Sequence, residues 1–268
     1  MVLIVFILGL AIGSFLNAYI WRLHISEALP PAIRRQGLPV SVWRGRSMCP
    51  KCKKPLAWYE LIPLVSFALQ RGRCRGCKGK IDWQYPLVEL AAGILFVLAY
   101  IRFDIPTTIL HSTFFILHFY LLATLVILFV YDLRYGLVPD RVVLPAILVA
   151  FLFSIMQYNV TLHAIRYTLY AIFVGAGFFA LQYYLSRGRW LGAGDIRIGA
   201  LMGAMLGWPF ILEGLVISYA IGGVFALALI VARKKQFGQT LPLGTFLTLG
   251  TAIVFLYGEQ IWRWYFNV

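Results

Sequence analysis

The sequence predicts an all-α polytopic membrane protein of about eight transmembrane helices, with a zinc-binding loop module on the cytoplasmic side between the first two. Three observations predict it. Hydrophobic residues make up 61% of the 268 positions and charged residues 13%, where a soluble domain carries about 25% charged. Mean hydropathy is +0.82, too high for a chain with water on every side. The basic residues are clustered: 13 of the 24 Lys and Arg lie between Arg22 and Lys80, where the acids are Glu27 and Glu60. A disordered chain, a collagen, a coiled coil and an ordinary cytosolic enzyme are thereby excluded. The net charge of +14 does not imply a nucleic-acid partner, because short basic clusters between apolar runs are how a membrane protein marks its cytoplasmic loops. The partner implied is the lipid bilayer, whose anionic headgroups account for most of the basic side chains.

A hydrocarbon core of about 30 Å takes roughly 20 residues of helix. The stretches free of Asp, Glu, Lys and Arg run as follows. Met1–Trp21 comes first, then Trp83–Ile101 (interrupted by Glu89) and Ile105–Tyr131. Val142–Ile165, Tyr167–Ser186, Ile198–Leu212, Gly214–Ala232 and Gln236–Gly258 follow. With the Arg22–Lys80 segment in the cytoplasm, eight alternating helices put 21 of the 24 basic residues inside and leave Arg102, Arg166 and Arg263 outside. Omitting the short Ile198–Leu212 span would carry Arg233, Lys234 and Lys235 across the membrane. Met1–Trp21 has no positive n-region and no small-x-small exit, so it reads as a retained helix rather than a cleaved signal. The organisation expected is a first helix over 1–21, a basic cytoplasmic loop over 22–85 and a seven-helix membrane domain over 86–268. Pro30-Pro31, Gly37 and Pro39 make the first part of the loop irregular.

The four cysteines all lie in that loop. Cys49 and Cys52 form one CxxC, and after 21 intervening residues Cys74 and Cys77 form another. Each CxxC turn aims two thiolates at one point, and two turns complete a tetrahedral S4 site that suits Zn²⁺. On the reducing side of a membrane, disulfides are disfavoured. Free thiols or a redox pair are the other readings, the latter needing a βαβ context that the sequence does not show. With four protein ligands the metal has no open position, so its role is to staple a loop without a core.

Acids in or beside hydrocarbon are costly, which makes Glu89, Asp132, Asp140, Asp195 and Glu213 candidates for function. Asp132 ends the third span on its way in and Asp195 begins the sixth on its way out, so both belong to the cytoplasmic edge. Two facing carboxylates share a proton, leaving one base and one acid around a water. Such a pair activates water toward a peptide carbonyl and protonates the departing amine. Gly192 and Gly194, just before Asp195, read as a turn that a substrate backbone approaches closely. The plainer readings are ion pairs of Asp132 with Arg134 or Arg141 and of Asp195 with Arg197, an N-cap for Asp140 and an outer-loop acid for Glu213. Glu89 is either a packing partner for a polar group or a substrate contact. His111 and His118 read as interfacial or core residues rather than ligands.

In order along the chain stand Gly13-Ser14-Phe15-Leu16-Asn17, the double CxxC, Arg71-Gly72-Arg73-Cys74 and Tyr85-Pro86-Leu87-Val88-Glu89. Tyr131-Asp132-Leu133 with Leu137-Val138-Pro139-Asp140 and then Gly192-Ala193-Gly194-Asp195-Ile196-Arg197 follow. This series resembles the bacterial type IV prepilin peptidases, membrane aspartic proteases of the GxGD class. The resemblance implies that Asp132 and Asp195 are the catalytic pair, in a core over about 105–215, and that the four cysteines bind zinc. It also implies an enzyme of the bacterial inner membrane. Such an enzyme removes the leader of prepilins and pseudopilins at the cytoplasmic face, and in many members then methylates the new N-terminus with S-adenosylmethionine. Arg197 stands where the family usually has Lys, and no glycine-rich Rossmann fingerprint marks a methyl-donor site. Two other functions remain to be weighed. A transporter with proton-relay acids would need them near mid-membrane, and a zinc-loop scaffold would dispense with both aspartates.

Overall fold

The computed structural model describes residues 1–28, 46–103, 109–157, 161–234 and 241–266, the side chains of 109–112 excepted. Pro30, Pro31, Gly37 and Pro39 and the side chain of His111 lie outside the described residues. Apolar runs become helices because hydrocarbon offers backbone amides no partner but one another. The contacts fall into two units, Met1–Ile105 and Pro106–Val268.

The first unit holds α1 (Val2–Ala28), a 3₁₀ turn (Trp58–Leu61), the short α2 (Val65–Leu69) and α3 (Gln84–Arg102). The helix expected to stop at Trp21 runs on through a buried Arg22 to Ala28, because a charge ends an apolar stretch without breaking a helix. α1 and α3 pack backbone to backbone. A Cβ on Gly9 would lie 2.7 Å from Gly93 Cα, and one on Gly13 2.7 Å from Glu89 Cα. This is the small-residue contact by which membrane helices associate.

The second unit holds α4 (Ile109–Tyr135), α5 (Asp140–Gln157), α6 (Leu162–Ser186), α7 (Ala193–Leu206), α8 (Phe210–Val231) and α9 (Leu243–Phe266). Across the two units, α1, α3, α4, α5, α6 and α8 are long and apolar enough to cross a membrane. α7 has 14 residues, about 21 Å of helix, and it ends at Gly207 (φ +69°) rather than continuing to Leu212. It is surrounded by protein instead of lipid, against α5, α6, α8 and α9. Its contact with α6 is especially close: a Cβ on Gly175 would fall 2.2 Å from the Gly199 carbonyl oxygen, and one on Gly203 2.3 Å from that of Ala171. α9 is 24 residues long, but Thr245, Thr248 and Thr251 are buried along it. Glu213, expected in an outer loop, stands in the first turn of α8 with both carboxylate oxygens buried. His118 is a core residue whose Nδ1 meets the Phe114 carbonyl at 2.7 Å and whose ring packs on Phe153 and Phe255.

Candidate active site and metal centre

Four helix ends of the second unit come together around the two aspartates. Asp132 lies in the last turn of α4, which closes where the Gly136 N–H donates to the Asp132 carbonyl at 2.8 Å. Gly136 has φ +62°, the left-handed conformation that glycine supplies at a helix C-terminus. Asp195 lies in the first turn of α7, where Gly192 is the N-cap in extended conformation. The Asp195 carboxylate reaches back and its Oδ2 accepts the Gly192 N–H at 3.0 Å, the reciprocal half of a capping box. Both side chains are buried, at 5% and 8% exposure.

The GAGD segment is thus a helical turn rather than an open one. Gly194 is packed: a Cβ there would lie 2.6 Å from Val138 Cγ2. Val138 belongs to the link between α4 and α5, so this contact ties the Asp195 turn to the end of the Asp132 helix. Asp140 is the first residue of α5 and pairs with Arg197. That pairing replaces the expected N-cap role of Asp140 and the expected Asp195–Arg197 pair.

The third support of the site was not read from the sequence. The Thr245 backbone N–H and hydroxyl both donate to Asp132 Oδ2, at 2.6 and 2.9 Å. Gly244 beside it leaves room for the carboxylate, since a Cβ there would lie 2.9 Å from Asp132 Cγ and 2.7 Å from Ile198 Cδ1. The signal that could have pointed to them is Pro242-Leu243-Gly244-Thr245, a helix start beside the same membrane edge. The N-termini of α5, α7 and α9 therefore converge on carboxylates, an arrangement their dipoles favour. The two aspartates are near enough for the charge of Asp132 to act on Asp195. Among the described residues, neither Oδ1 has a hydrogen bond. Each of the two buried carboxylates is thus fixed through one oxygen and keeps the other free of protein partners, as a pair that activates water requires.

In the first unit the cysteines form two matched knuckles. The Cys49 and Cys74 N–H groups donate to the Lys54 and Gly79 carbonyls, and Lys53 and Lys78 follow the second cysteines with φ near +56°. The four sulfurs lie within 4.8 Å of one another, Cys49 to Cys77 at 3.9 Å and Cys52 to Cys74 at 4.0 Å. A tetrahedron with Zn–S near 2.3 Å has edges of about 3.8 Å, so the donor set fits. The separations are far beyond a disulfide bond. The Cys77 N–H holds the Cys74 thiol down to about 7. Cys52, despite the Lys54 N–H, is pushed up to about 11 by desolvation and its neighbouring thiols. The four cannot all ionise without a cation at their centre. Beside them Glu60 is held below the ordinary carboxylate range by the Ala57 N–H and by Lys54, 3.3 Å away.

Glu89 joins this module to the helices of its own unit. Its Oε2 accepts the Leu64 N–H at 2.9 Å, at a residue held at φ +58°. From α1, the Asn17 amide donates to the Tyr85 carbonyl at 3.0 Å, and Ser14 Oγ approaches the Leu61 carbonyl at 3.5 Å. Glu89 is therefore a structural link within its unit, one of the two roles left open by the sequence.

Comparisons with known proteins agree with this layout. Residues 7–103 match a family profile described as the bacterial peptidase A24 N-terminal domain, and residues 119–227 match the type IV leader peptidase family. Among the relatives is a prepilin leader peptidase/N-methyltransferase of Aeromonas salmonicida, 31% identical over 98% of this chain and 93% of its own. Another of that name, from Aeromonas hydrophila, is 32% identical over 98% of this chain and 92% of its own. One from Bacillus subtilis is 30% identical over 100% and 99%. No solved structure matches the chain significantly. With both halves matched in order and relatives aligned end to end, the chain belongs to the type IV leader peptidase family.

Proposed function

We propose that the chain is a membrane aspartic endopeptidase that removes the leader peptide from type IV prepilins and pseudopilins and then methylates the new N-terminal amine. The observation that carries this reading is the meeting of Asp132 and Asp195 at the ends of α4 and α7, each anchored through Oδ2 and open at Oδ1. The pair shares one proton. The ionised member takes a proton from the water as its oxygen bonds to the scissile carbonyl carbon. The protonated member then gives its proton to the leaving amine as the C–N bond breaks. The two titrate as a unit, so the roles of base and acid belong to the pair. Thr245 and the Gly192 N–H are positioning groups that aim the carboxylates. Gly194, through Val138, fixes the distance between the helix ends, and Asp140 with Arg197 braces them.

The substrate class is supported by the printed names of the relatives, as is the methyl transfer. S-adenosylmethionine would supply an electrophilic methyl group there. Cys49, Cys52, Cys74 and Cys77 would hold a structural Zn²⁺ that keeps the module folded and takes no part in hydrolysis. We propose the organisation as a first helix, expected over 1–21 and running to Ala28, a zinc-bearing loop that follows it to about residue 85, and a membrane peptidase domain whose core is the second unit. We place the protein in the bacterial inner membrane with its carboxylates at the cytoplasmic face, a reading supported by the 21 basic residues that eight spans put on that side. The aspartates stand at helix ends rather than at mid-membrane, which speaks against a proton-relay transporter.

The test is a mass spectrum of a co-expressed prepilin with the wild type, Asp132→Ala and Asp195→Ala. Loss of the leader and gain of one methyl with the wild type, and an intact precursor with either variant, is the expected result. Normal processing by either variant would sink the assignment of the pair.

A further inference from the structure

The link that carries the cysteines does not simply float above the membrane. Glu89 lies five residues into α3, which begins at Gln84, about 7.5 Å along the helix axis. Its carboxylate holds the Leu64 N–H at 2.9 Å. On α1, the Asn17 bond to the Tyr85 carbonyl marks the level at which α1 passes the start of α3. Ser14, one turn deeper, stands 3.5 Å from the Leu61 carbonyl. The stretch from Trp58 to Leu69 therefore dips to a level inside the start of a helix long and apolar enough to span a bilayer. Its outward side chains are apolar: Trp58, Val65 and Leu69 are 77%, 50% and 72% exposed. Water is a poor environment for such a surface, and Trp is characteristic of the lipid–water boundary.

The residues that follow carry the opposite character. Arg71, Arg73, Arg75 and Lys78 line a concavity of about 790 Å³ together with Leu69 and Gln70. Among the described residues no carboxylate forms an ion pair with these four cations, although the charge of Glu60 reaches Arg75. Glu60, the nearby acid, is engaged by Lys54, and the Arg75 guanidinium lies 5.1 Å over the Tyr59 ring. Apolar side chains at membrane depth followed at once by a cationic hollow match the two layers of a phospholipid, acyl chain and phosphate.

We propose that Trp58–Leu69 lies in the bilayer interface and that Arg71, Arg73, Arg75 and Lys78 hold the phosphates of anionic phospholipids. The inference concerns the first unit alone. It is independent of the peptidase reading, because neither test below uses cleavage. Full-length protein with Leu69→p-benzoylphenylalanine, in nanodiscs of phosphatidylcholine and phosphatidylglycerol, is irradiated and its adducts are read by mass spectrometry. Cross-links to acyl chains are expected, and their absence from protein that still holds its metal would overturn the interfacial placement.

In the second test, native mass spectrometry counts phosphatidylglycerol against phosphatidylcholine retained by the wild type and by Arg71→Gln/Arg73→Gln/Arg75→Gln/Lys78→Gln. Each charge lost should lower the preference for the anionic lipid about fivefold. An unchanged preference would refute the headgroup site. If the quadruple variant no longer holds metal, a salt titration of the wild type decides instead. Preference falling steeply with ionic strength is expected, and a salt-independent preference would refute the site.

Discussion

Gly244→Ala is the most revealing single change in the second unit. The added Cβ would sit 2.9 Å from Asp132 Cγ, 3.0 Å from its Oδ2 and 2.7 Å from Ile198 Cδ1, where ordinary contact begins at 3.4 Å. The Ile198 methyl sits at the end of a flexible side chain and can turn away. The short Asp132 carboxylate cannot, and it must retreat by ~0.5 Å, a modest overpacking. Retreat lengthens the 2.6 and 2.9 Å bonds from Thr245 and moves the carboxylate relative to Asp195. A displacement of about 1 Å at a reacting group costs on the order of 100-fold in rate, so a loss of roughly 10-fold is expected here, about 1.4 kcal/mol in the barrier. Helix propensity works the other way, since Ala exceeds Gly by up to about 1 kcal/mol, and stability should change little. The assay is the initial rate of prepilin leader removal by purified protein in nanodiscs, with melting temperature measured in parallel. Gly223→Ala is the control, because a Cβ there meets nothing within 4 Å. A folded Gly244→Ala protein that cleaves as fast as the Gly223→Ala control would refute the claim that Asp132 is held in one position by α9.

Thr245→Val removes the hydroxyl donor to Asp132 and keeps the backbone one. Hydrogen bonds to charged groups contribute about 1.5–3 kcal/mol, so kcat should fall at least 10-fold with KM little changed, and Thr245→Ser should restore it. Cys74→Ser, or a strong chelator, should abolish a zinc content of about one per chain. It should also make the stretch from 46 to 82 sensitive to protease, while a wild type that carries no zinc and still resists protease would show the cluster to be mere thiols. Glu89→Ala leaves the Leu64 N–H without its acceptor, a cost of about 1–3 kcal/mol. Hydrogen exchange over Trp58–Leu69 should therefore quicken about 10-fold or more, whereas Glu89→Gln, which keeps an acceptor oxygen, should stay near the wild type.

The sequence made visible whatever is local. Apolar runs located the helices, and CxxC spacing brought the cysteines into one cluster. Asp132 and Asp195 stood out because a carboxylate at the edge of an apolar run is costly. Boundaries were less legible. The absence of charge carried the expected sixth span to Leu212, where Gly207 ends α7 at Leu206, and the charge of Arg22 stopped the first at Trp21, where α1 continues to Ala28. Nor could the sequence show what Glu213 does, because its exposure depends on where α8 begins. Least legible were Gly244 and Thr245. Their importance exists only once α9 folds against α4, and neither a small residue nor a hydroxyl is unusual in a membrane helix. The glycines of α6 and α7 were hidden for the same reason: Gly175 and Gly199 have meaning only as a pair.

The Thr245 contact reaches 113 residues back along the chain to Asp132. During synthesis at roughly 5–20 residues per second, Asp132 enters the membrane on the order of ten seconds before the segment that holds its carboxylate has been made. The nascent protein thus carries Asp132 without this support for 113 residues of synthesis, joined by Asp195 only for the last 50 of them, and insertion of α9 is what closes the constellation. A polypeptide cut short before Leu243 would keep both acids and lack their alignment, so α9 is itself a condition of competence.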